Sequence, residues 1–92
     1  MNATPARRRI RELARSGRVR FTEYTALRML QRDIAAAEVF RVLTTAQRCY
    51  AQPNGRWRLA GEDLMVVVEL AHDAVVVTLF RGDEDADEDE EG

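Results

Sequence analysis

Residues 63–80 read DLMVVVELAHDAVVVTLF and contain the two most apolar segments of the chain. Both segments are short and rich in valine, a composition typical of β-strands. His72 and Asp73 separate them and supply a turn. Because each segment is apolar almost without alternation, we predict two central strands, covered on both faces or on one face with a partner subunit on the other.

Two further strands are predicted upstream of this pair. The segments QRCYAQ at 47–52 and GRWRLA at 55–60 are short and contain aromatic residues. Asn54 and Gly55 are the favoured pair for a two-residue hairpin turn, and GED at 61–63 supplies the next corner. The simplest arrangement is a four-stranded antiparallel meander, with RVRF at 18–21 as a candidate first strand.

The segment TPARRRIRELARSG at 4–17 predicts an N-terminal helix with well-marked ends. Thr4 is the expected N-cap, Pro5 the first helical residue and Gly17 the C-terminal stop. Four apolar residues follow the helical period and are expected to pack: Ala6, Ile10, Leu13 and Ala14.

Two more helices are predicted between this helix and the strands. FTEYTALRMLQRDI at 21–34 contains a helix capped by Thr22, with Glu23 in its first turn. IAAAEVFRVLT at 34–44 forms the next helix, for which Asp33 is the expected cap. Its apolar period is formed by Ile34, Val39, Val42 and Leu43.

Helices followed by strands predict an α+β fold, in which N-terminal helices pack on an antiparallel sheet of about four strands. The chain of 92 residues suffices for one core, so we predict a single domain over residues 1–82. DEDADEDEE at 83–91 holds eight of the sixteen acidic residues. Its like charge and lack of large apolar residues predict a disordered acidic tail over 83–92.

Composition excludes several classes of protein. No apolar run is long enough to cross a bilayer, and MNATPARRRI at the N-terminus lacks the apolar stretch of a secretion signal, so we expect a cytoplasmic protein without membrane contact. Cys49 is the only cysteine, which excludes an internal disulfide; we interpret it as a packed thiol. We find no metal-binding motif and no glycine-rich phosphate loop, and predict neither metal nor cofactor.

The helix at 21–34 presents two different faces. Tyr24, Arg28 and Arg32 lie one turn apart along one of them. Ala26, Leu27 and Leu30 form the other, which we expect to pack against the core. Two interpretations of the first face stay open: it binds a phosphate, or the arginines pair with acids such as Glu23, Asp33 or Glu38 while Tyr24 covers the edge of the core.

Positive charge is concentrated outside the tail. All fourteen basic residues are arginines, and residues 1–82 carry them against eight acidic residues, a balance of +6. The first helix contributes the nucleic-acid-binding candidates Arg7, Arg8, Arg11 and Arg15. The hairpin adds Arg56 and Arg58, which alternate with Trp57 and lie near Arg48 and Tyr50. Alternation alone also explains this pair, since Trp57 and Leu59 would then face the core.

One set of motifs resembles a known family. RVRFTEYTALRMLQRDI, EVFRVL, GRWRLAGED, LMVVVEL and AVVVTLF together resemble the small bacterial and phage family catalogued as domain of unknown function 4258. The match runs from about Ile10 to Phe80 and leaves out the acidic tail. The order of helices and strands is similar to that of the RelE-like toxin superfamily.

The resemblance implies site residues. Arg28, Met29, Arg32 and Thr78 stand at positions of the family motif, and Tyr24 stands where the family usually has histidine. RelE-like enzymes often place a functional residue after the last strand, where this chain has Arg81. By this analogy Tyr24, Arg28, Arg32 and Arg81 are the catalytic candidates. His72, in a predicted turn, is expected to be an exposed loop residue rather than a catalytic one.

Two functions are consistent with these patterns. The first is binding of RNA or a ribosomal surface through the Arg-rich helices, with metal-free RNA cleavage as a further step. The second is a non-catalytic protein-interaction module, whose basic helix binds an acidic partner such as an antitoxin, and which forms a homodimer through its apolar strands. The flexible tail, tethered near the basic helix, would compete for the same surface.

Overall fold

The computed structural model describes residues 2–82. Its helices are α1 (Ala3–Arg15), α2 (Glu23–Arg32) and α3 (Ala36–Thr45). Its strands are β1 (Val19–Phe21), β2 (Arg48–Ala51), β3 (Trp57–Ala60), β4 (Leu64–Leu70) and β5 (Ala74–Arg81). The predicted α+β fold is thus confirmed, while the predicted acidic tail lies outside the described residues.

The sheet has five strands in the order β1-β5-β4-β3-β2. The expectation of about four antiparallel strands is wrong in one respect, because β1 joins the edge of the meander and runs parallel to β5. Its flanking residues extend the pairing: the Ala74 N–H donates to the Arg18 carbonyl at 3.1 Å, and the Thr22 N–H donates to the Val76 carbonyl at 3.2 Å. β1 therefore satisfies peptide groups of β5 that would otherwise lie unpaired in an apolar environment.

The two apolar segments form β4 and β5, which lie side by side in the middle of the sheet as predicted. Alternate residues point to opposite faces. Leu59, Val66 and Leu79 belong to the core face, on which α1 and α3 pack. The register places Tyr50, Arg58, Val67 and Thr78 in one row on the opposite face, here called the outer sheet face. A bulge at Val77 separates the pairs Val67–Thr78 and Val68–Val76.

The predicted ends of α1 are confirmed at the C-terminus but not at the N-terminus. Its predicted stripe is buried as expected. Asn2, not Thr4, is the N-cap, because the first helical bond runs from the Ala6 N–H to the Asn2 carbonyl. Pro5 does not mark the start, since any first-turn position tolerates a missing N–H. Gly17 ends the helix as predicted, with a φ of 76°.

The corner between α2 and α3 differs from the prediction. Thr22 caps α2 as expected, its hydroxyl accepting from the Thr25 N–H at 3.1 Å. Asp33 does not cap α3 but ends α2, with a left-handed φ of 57°. α3 begins three residues later, at Ala36, and its N-cap Ala35 makes no side-chain hydrogen bond. Its predicted apolar positions, Ile34 included, are buried.

The β2–β3 hairpin lies where predicted but has another turn. The two-residue turn expected at Asn54 and Gly55 needs a positive φ at both residues, and only Gly55 has one, at 83°. Instead the Gly55 N–H donates to the Gln52 carbonyl at 3.2 Å, and the Gln52 N–H donates to the Arg56 carbonyl at 2.8 Å. Pro53 follows Gln52 and favours this longer loop because its φ is already fixed.

Candidate functional site

The face of α2 that packs is not the one predicted. Thr25 is fully buried, and its hydroxyl donates to the Val76 carbonyl of β5 at 3.0 Å. Met29, one turn later, packs against the core. The prediction that Ala26, Leu27 and Leu30 pack is wrong: all three are exposed, Leu27 by 55% and Leu30 by 81%. A polar residue occupies the inner face because the edge of β5 offers it an acceptor.

The first catalytic candidates lie along one side of α2, as their spacing predicted. Tyr24 is 39% exposed, Arg28 is half-buried and Arg32 is exposed. α2 begins beside Val76, and the first turn of α3 contacts Arg81. The helix therefore runs alongside the second half of β5.

Arg81 is bound by two carboxylates. Its Nη1 lies 2.5 Å from a Glu38 oxygen on α3 and 3.4 Å from an Asp63 oxygen in the β3–β4 turn. One quarter of the Arg81 side chain is exposed. The arrangement ties the end of β5 to two other elements, and a phosphate at Arg81 would have to compete with both acids.

The basic candidates on α1 do not form one continuous site, because they differ in partner and in exposure. Arg7 donates to the Ala46 carbonyl at 3.1 Å and so caps the C-terminus of α3. Arg9 pairs with Glu12 at 3.5 Å. Arg8 and Arg15 are exposed, and Arg11 is half-buried. The accessible positive charge of α1 therefore lies mainly on Arg8 and Arg15.

The hairpin brings cations and an aromatic ring together on the outer sheet face. Arg58 lies over the ring of Tyr50, 5.6 Å from its centroid, and the two residues are direct cross-strand neighbours. Tyr50 is 41% exposed. Arg56 is held by Glu69 at 3.7 Å. Leu59 is buried and Trp57 packs partly against the core, which confirms the predicted alternation.

A cleft of about 660 Å³ adjoins this face at the C-terminal end of α3. Arg41 and Arg48 are among its lining residues, together with Ala60 and Met65. Ala60 and Met65 pair with each other and lie two residues from Arg58 and Val67 along their strands, so they share the outer sheet face. The sequence did not single out Arg41, because only the fold brings the end of α3 next to the β3–β4 turn.

The candidate nucleic-acid-binding arginines are thus divided between two surfaces. Arg8 and Arg15 lie on a helix of the core-face layer, whereas Arg58 lies on the outer sheet face. Arg20 of β1 belongs to the outer sheet face as well, because its neighbours Val19 and Phe21 pack against the core. The alternation in RVRF indicates this, but only once the pairing of β1 with β5 is known.

The single histidine and the single cysteine of the chain both lie outside the candidate sites. His72 is exposed in the β4–β5 turn as predicted, and its carbonyl accepts from Arg18 at 2.6 Å. Arg18 also contacts Asp73 at 3.0 Å, which links β1 to that turn. Cys49 is half-buried; burial raises the pKa of its thiol, and the charge of Arg7 lowers that pKa to a smaller extent.

Residues 2–82 contain no group of three or more histidine, cysteine or acidic side chains placed to hold a metal ion. Within the same residues, no helix has the length and apolar character needed to cross a membrane. The chain has no significant match to a protein-family model, a curated protein or a solved structure. The resemblance to domain of unknown function 4258 and to RelE-like toxins therefore stays a prediction from the motifs.

Proposed function

We propose that the chain binds single-stranded RNA, free or within the ribosome, through the outer sheet face. The observation that carries the proposal is the exposed Tyr50 ring with the Arg58 guanidinium over it. Unstacked RNA bases bind on aromatic rings and on arginine planes, and stacking one base contributes about 1–3 kcal/mol. This pair offers both kinds of surface on neighbouring strands.

The phosphates of such a strand would meet the arginines around the pair. Arg48 is exposed one row from Tyr50 on the same face, and Arg41 lies with it in the adjoining cleft. Arginine suits this role because its planar fork binds phosphate oxygens in pairs. Arg8 and Arg15, on the other side of the sheet, would contribute only a general positive potential.

The test is the binding of a fluorescently labelled single-stranded RNA across a salt series from about 50 to 200 mM. Tyr50→Phe keeps the ring and is expected to bind like the unaltered chain. Tyr50→Val removes the ring at an exposed edge-strand position and is expected to weaken binding about tenfold. Arg58→Gln is expected to weaken it as well, whereas Arg8→Gln with Arg15→Gln should have a smaller effect.

The outcomes separate the alternatives. A loss confined to the Arg8 and Arg15 variant would move the site to α1. No binding by any form at low salt would end the RNA proposal and favour the protein-interaction module. If bound RNA is cut, Arg28→Ala and Tyr24→Phe test the predicted chemistry, since a nuclease that uses α2 must lose cleavage in these variants while it keeps binding.

A further inference from the structure

The cleft at the C-terminal end of α3 has the size of a small-ligand site. Its volume of about 660 Å³ lies within the range of about 300–1,000 Å³ that such sites have in proteins. Three elements supply its charged side chains: Arg41 comes from α3, Arg48 from β2 and Glu62 from the β3–β4 turn. Arg41 and Arg48 are both exposed, so a solute can reach both guanidinium groups.

The two arginines of the cleft are not engaged by the fold. Five other arginines bind a carbonyl or a carboxylate: Arg7, Arg9, Arg18, Arg56 and Arg81. Among residues 2–82, by contrast, the guanidinium groups of Arg41 and Arg48 have neither an ion pair nor a hydrogen bond. Their donors are therefore available to an anion that enters the cleft.

The acids near the cleft leave this positive charge accessible. Glu38 and Asp63 contact Arg81 and do not line the cleft. Glu62 lines it but forms no ion pair with Arg41 or Arg48, so an anion need not displace it. Two guanidinium groups and one carboxylate suit a phosphorylated ribose, since phosphate oxygens accept from arginine and ribose hydroxyls donate to a carboxylate.

The cleft adjoins the stacking pair at the end of the sheet. Arg48, Ala60 and Met65 form the row next to Tyr50 and Arg58, about 7 Å away along the strands. This row is the last one on that side, because β2 begins and β3 ends in it. Beyond it the last turn of α3 and the β3–β4 turn line the cleft. A strand that stacks a base on Tyr50 and extends toward Arg48 runs into this wall, which favours the end of the strand over its interior.

We infer that the cleft binds the terminal phosphate of an RNA strand, an inference that rests on the proposed function. A terminal phosphomonoester carries a charge of about −1.5 to −2 and three acceptor oxygens, more of both than an internal phosphodiester. Two guanidinium forks match that charge and that number of acceptors. Met65, half-buried in the same row, offers apolar surface to the terminal nucleotide. The same phosphate chemistry occurs at a 5′ and at a 3′ end, and the test separates the two.

The test is a competition experiment at about 50 mM salt. Unlabelled strands of one sequence displace a labelled, unphosphorylated strand from the full chain. One competitor has a 5′-phosphate, one has a 3′-phosphate and one has neither. One of the two phosphorylated strands is expected to bind about tenfold more tightly than the unphosphorylated strand, because charge-assisted hydrogen bonds are added. The other has the same total charge and is expected to gain less than about threefold.

Variants locate this preference. Arg41→Gln is expected to reduce the tenfold preference to less than about threefold, because one of the two forks is lost. Arg8→Gln removes the same charge from α1 and is the matched control, which should keep the preference. Tyr50→Val should weaken the binding of all three strands and keep the ratio between them, so the two proposals fail separately.

Three results would overturn the inference while the RNA proposal is unaffected. The first is equal affinity of the two phosphorylated strands, which would reflect total charge. The second is a preference that survives Arg41→Gln, and the third is a preference lost to the same extent in Arg8→Gln. A chain that binds none of the strands contradicts both proposals.

Discussion

Thr25 determines which side of α2 meets the core. Its hydroxyl accepts from the Thr22 hydroxyl at 2.9 Å and donates to the Val76 carbonyl at 3.0 Å, so a buried polar group has all the partners it needs. Val76 pairs with Phe21, the last residue of β1, and its carbonyl also accepts from the Thr22 N–H. A threonine at this position is therefore as well accommodated as an apolar residue, and Leu27 is free to face away.

The orientation of α2 is tested by two substitutions at neighbouring residues. Leu30→Gln changes an 81% exposed side chain and is expected to alter the free energy of unfolding by less than about 0.5 kcal/mol. Met29→Gln places an amide against the core and is expected to cost about 1–2 kcal/mol. Urea unfolding measures both. The reverse ranking would contradict the observed face and restore the one expected from the sequence.

The apolar pattern of α2 could not reveal this orientation. Ala26, Leu27 and Leu30 have helical spacing, and so do Thr25 and Met29. Spacing identifies the faces of a helix but not which one is inside. The inner face is determined by the Val76 carbonyl, 51 residues from Thr25 in the chain, which accepts a hydrogen bond from the Thr25 hydroxyl. In α1 the apolar stripe had no competing face, and its prediction was confirmed.

The surroundings of Cys49 predict how the alkylation of its thiol depends on pH. Burial raises the pKa of its thiol, against a smaller lowering by Arg7. Alkylation by iodoacetamide should therefore follow a midpoint at higher pH than alkylation of an exposed thiol. Arg7→Gln removes the lowering charge and should move that midpoint further upward.

The same shift has a consequence for stability. Because the folded chain holds the Cys49 proton more tightly, its contribution to stability is complete below the unfolded pKa and is lost as pH rises through the folded one. Alkylation in urea, where the thiol is exposed, is the control. A folded midpoint at or below the urea value would contradict the burial of Cys49.

At the scale of elements, two helix ends depend on left-handed residues. Gly17 after α1 has a φ of 76°, and Asp33 after α2 has a φ of 57°. The Gly17 N–H donates to the Ala14 carbonyl at 3.1 Å and the Arg18 N–H to the Leu13 carbonyl at 2.8 Å, which completes a Schellman end. Glycine suits this conformation, whereas an aspartate adopts it at some cost.

Opposite changes at these two ends should have opposite effects. Gly17→Ala is expected to lower the free energy of unfolding by about 1 kcal/mol, because a Cβ is disfavoured at positive φ. Asp33→Gly is expected to raise it by about 0.5 kcal/mol, since the strain is relieved but the unfolded chain gains freedom. Thermal unfolding followed by circular dichroism measures both changes. A loss of stability in the Asp33 variant would show that its side chain contributes more than its backbone costs.

Elements were easier to predict than their pairing. The segments of β2 to β5 and the cap at Thr22 follow from short-range chemistry, which the sequence displays directly. The partner of β1 does not, because three residues form too short a pattern to specify a neighbour. Arg18, which reaches Asp73 and the His72 carbonyl, helps to fix that pairing in the structure. The candidate site could not be located from the sequence for the same reason, since strand pairing determines which arginines share a face.

At the scale of the whole molecule, charge is separated along the chain. Residues 1–82 carry a balance of +6, and the residues after Gly82 contain eight acids. Arg8 and Arg15 of α1 and Arg48 and Arg58 of the sheet lie on opposite sides of the core, so the positive potential surrounds the body rather than marking one site. Composition predicted an affinity for polyanions, and the fold was needed to show that Arg58 lies over the Tyr50 ring.

This separation predicts that the acids after Gly82 weaken RNA binding. Acids on the same chain have a high effective concentration relative to the arginines, so we expect them to compete with phosphate. Replacing all eight by asparagine or glutamine should strengthen binding at low salt about fivefold for each guanidinium contact released, as one ion pair at 4 Å contributes ~1 kcal/mol in water. The difference should disappear as salt screens both interactions. Equal affinity of the two chains across the salt series would show that these acids do not compete for the RNA surface.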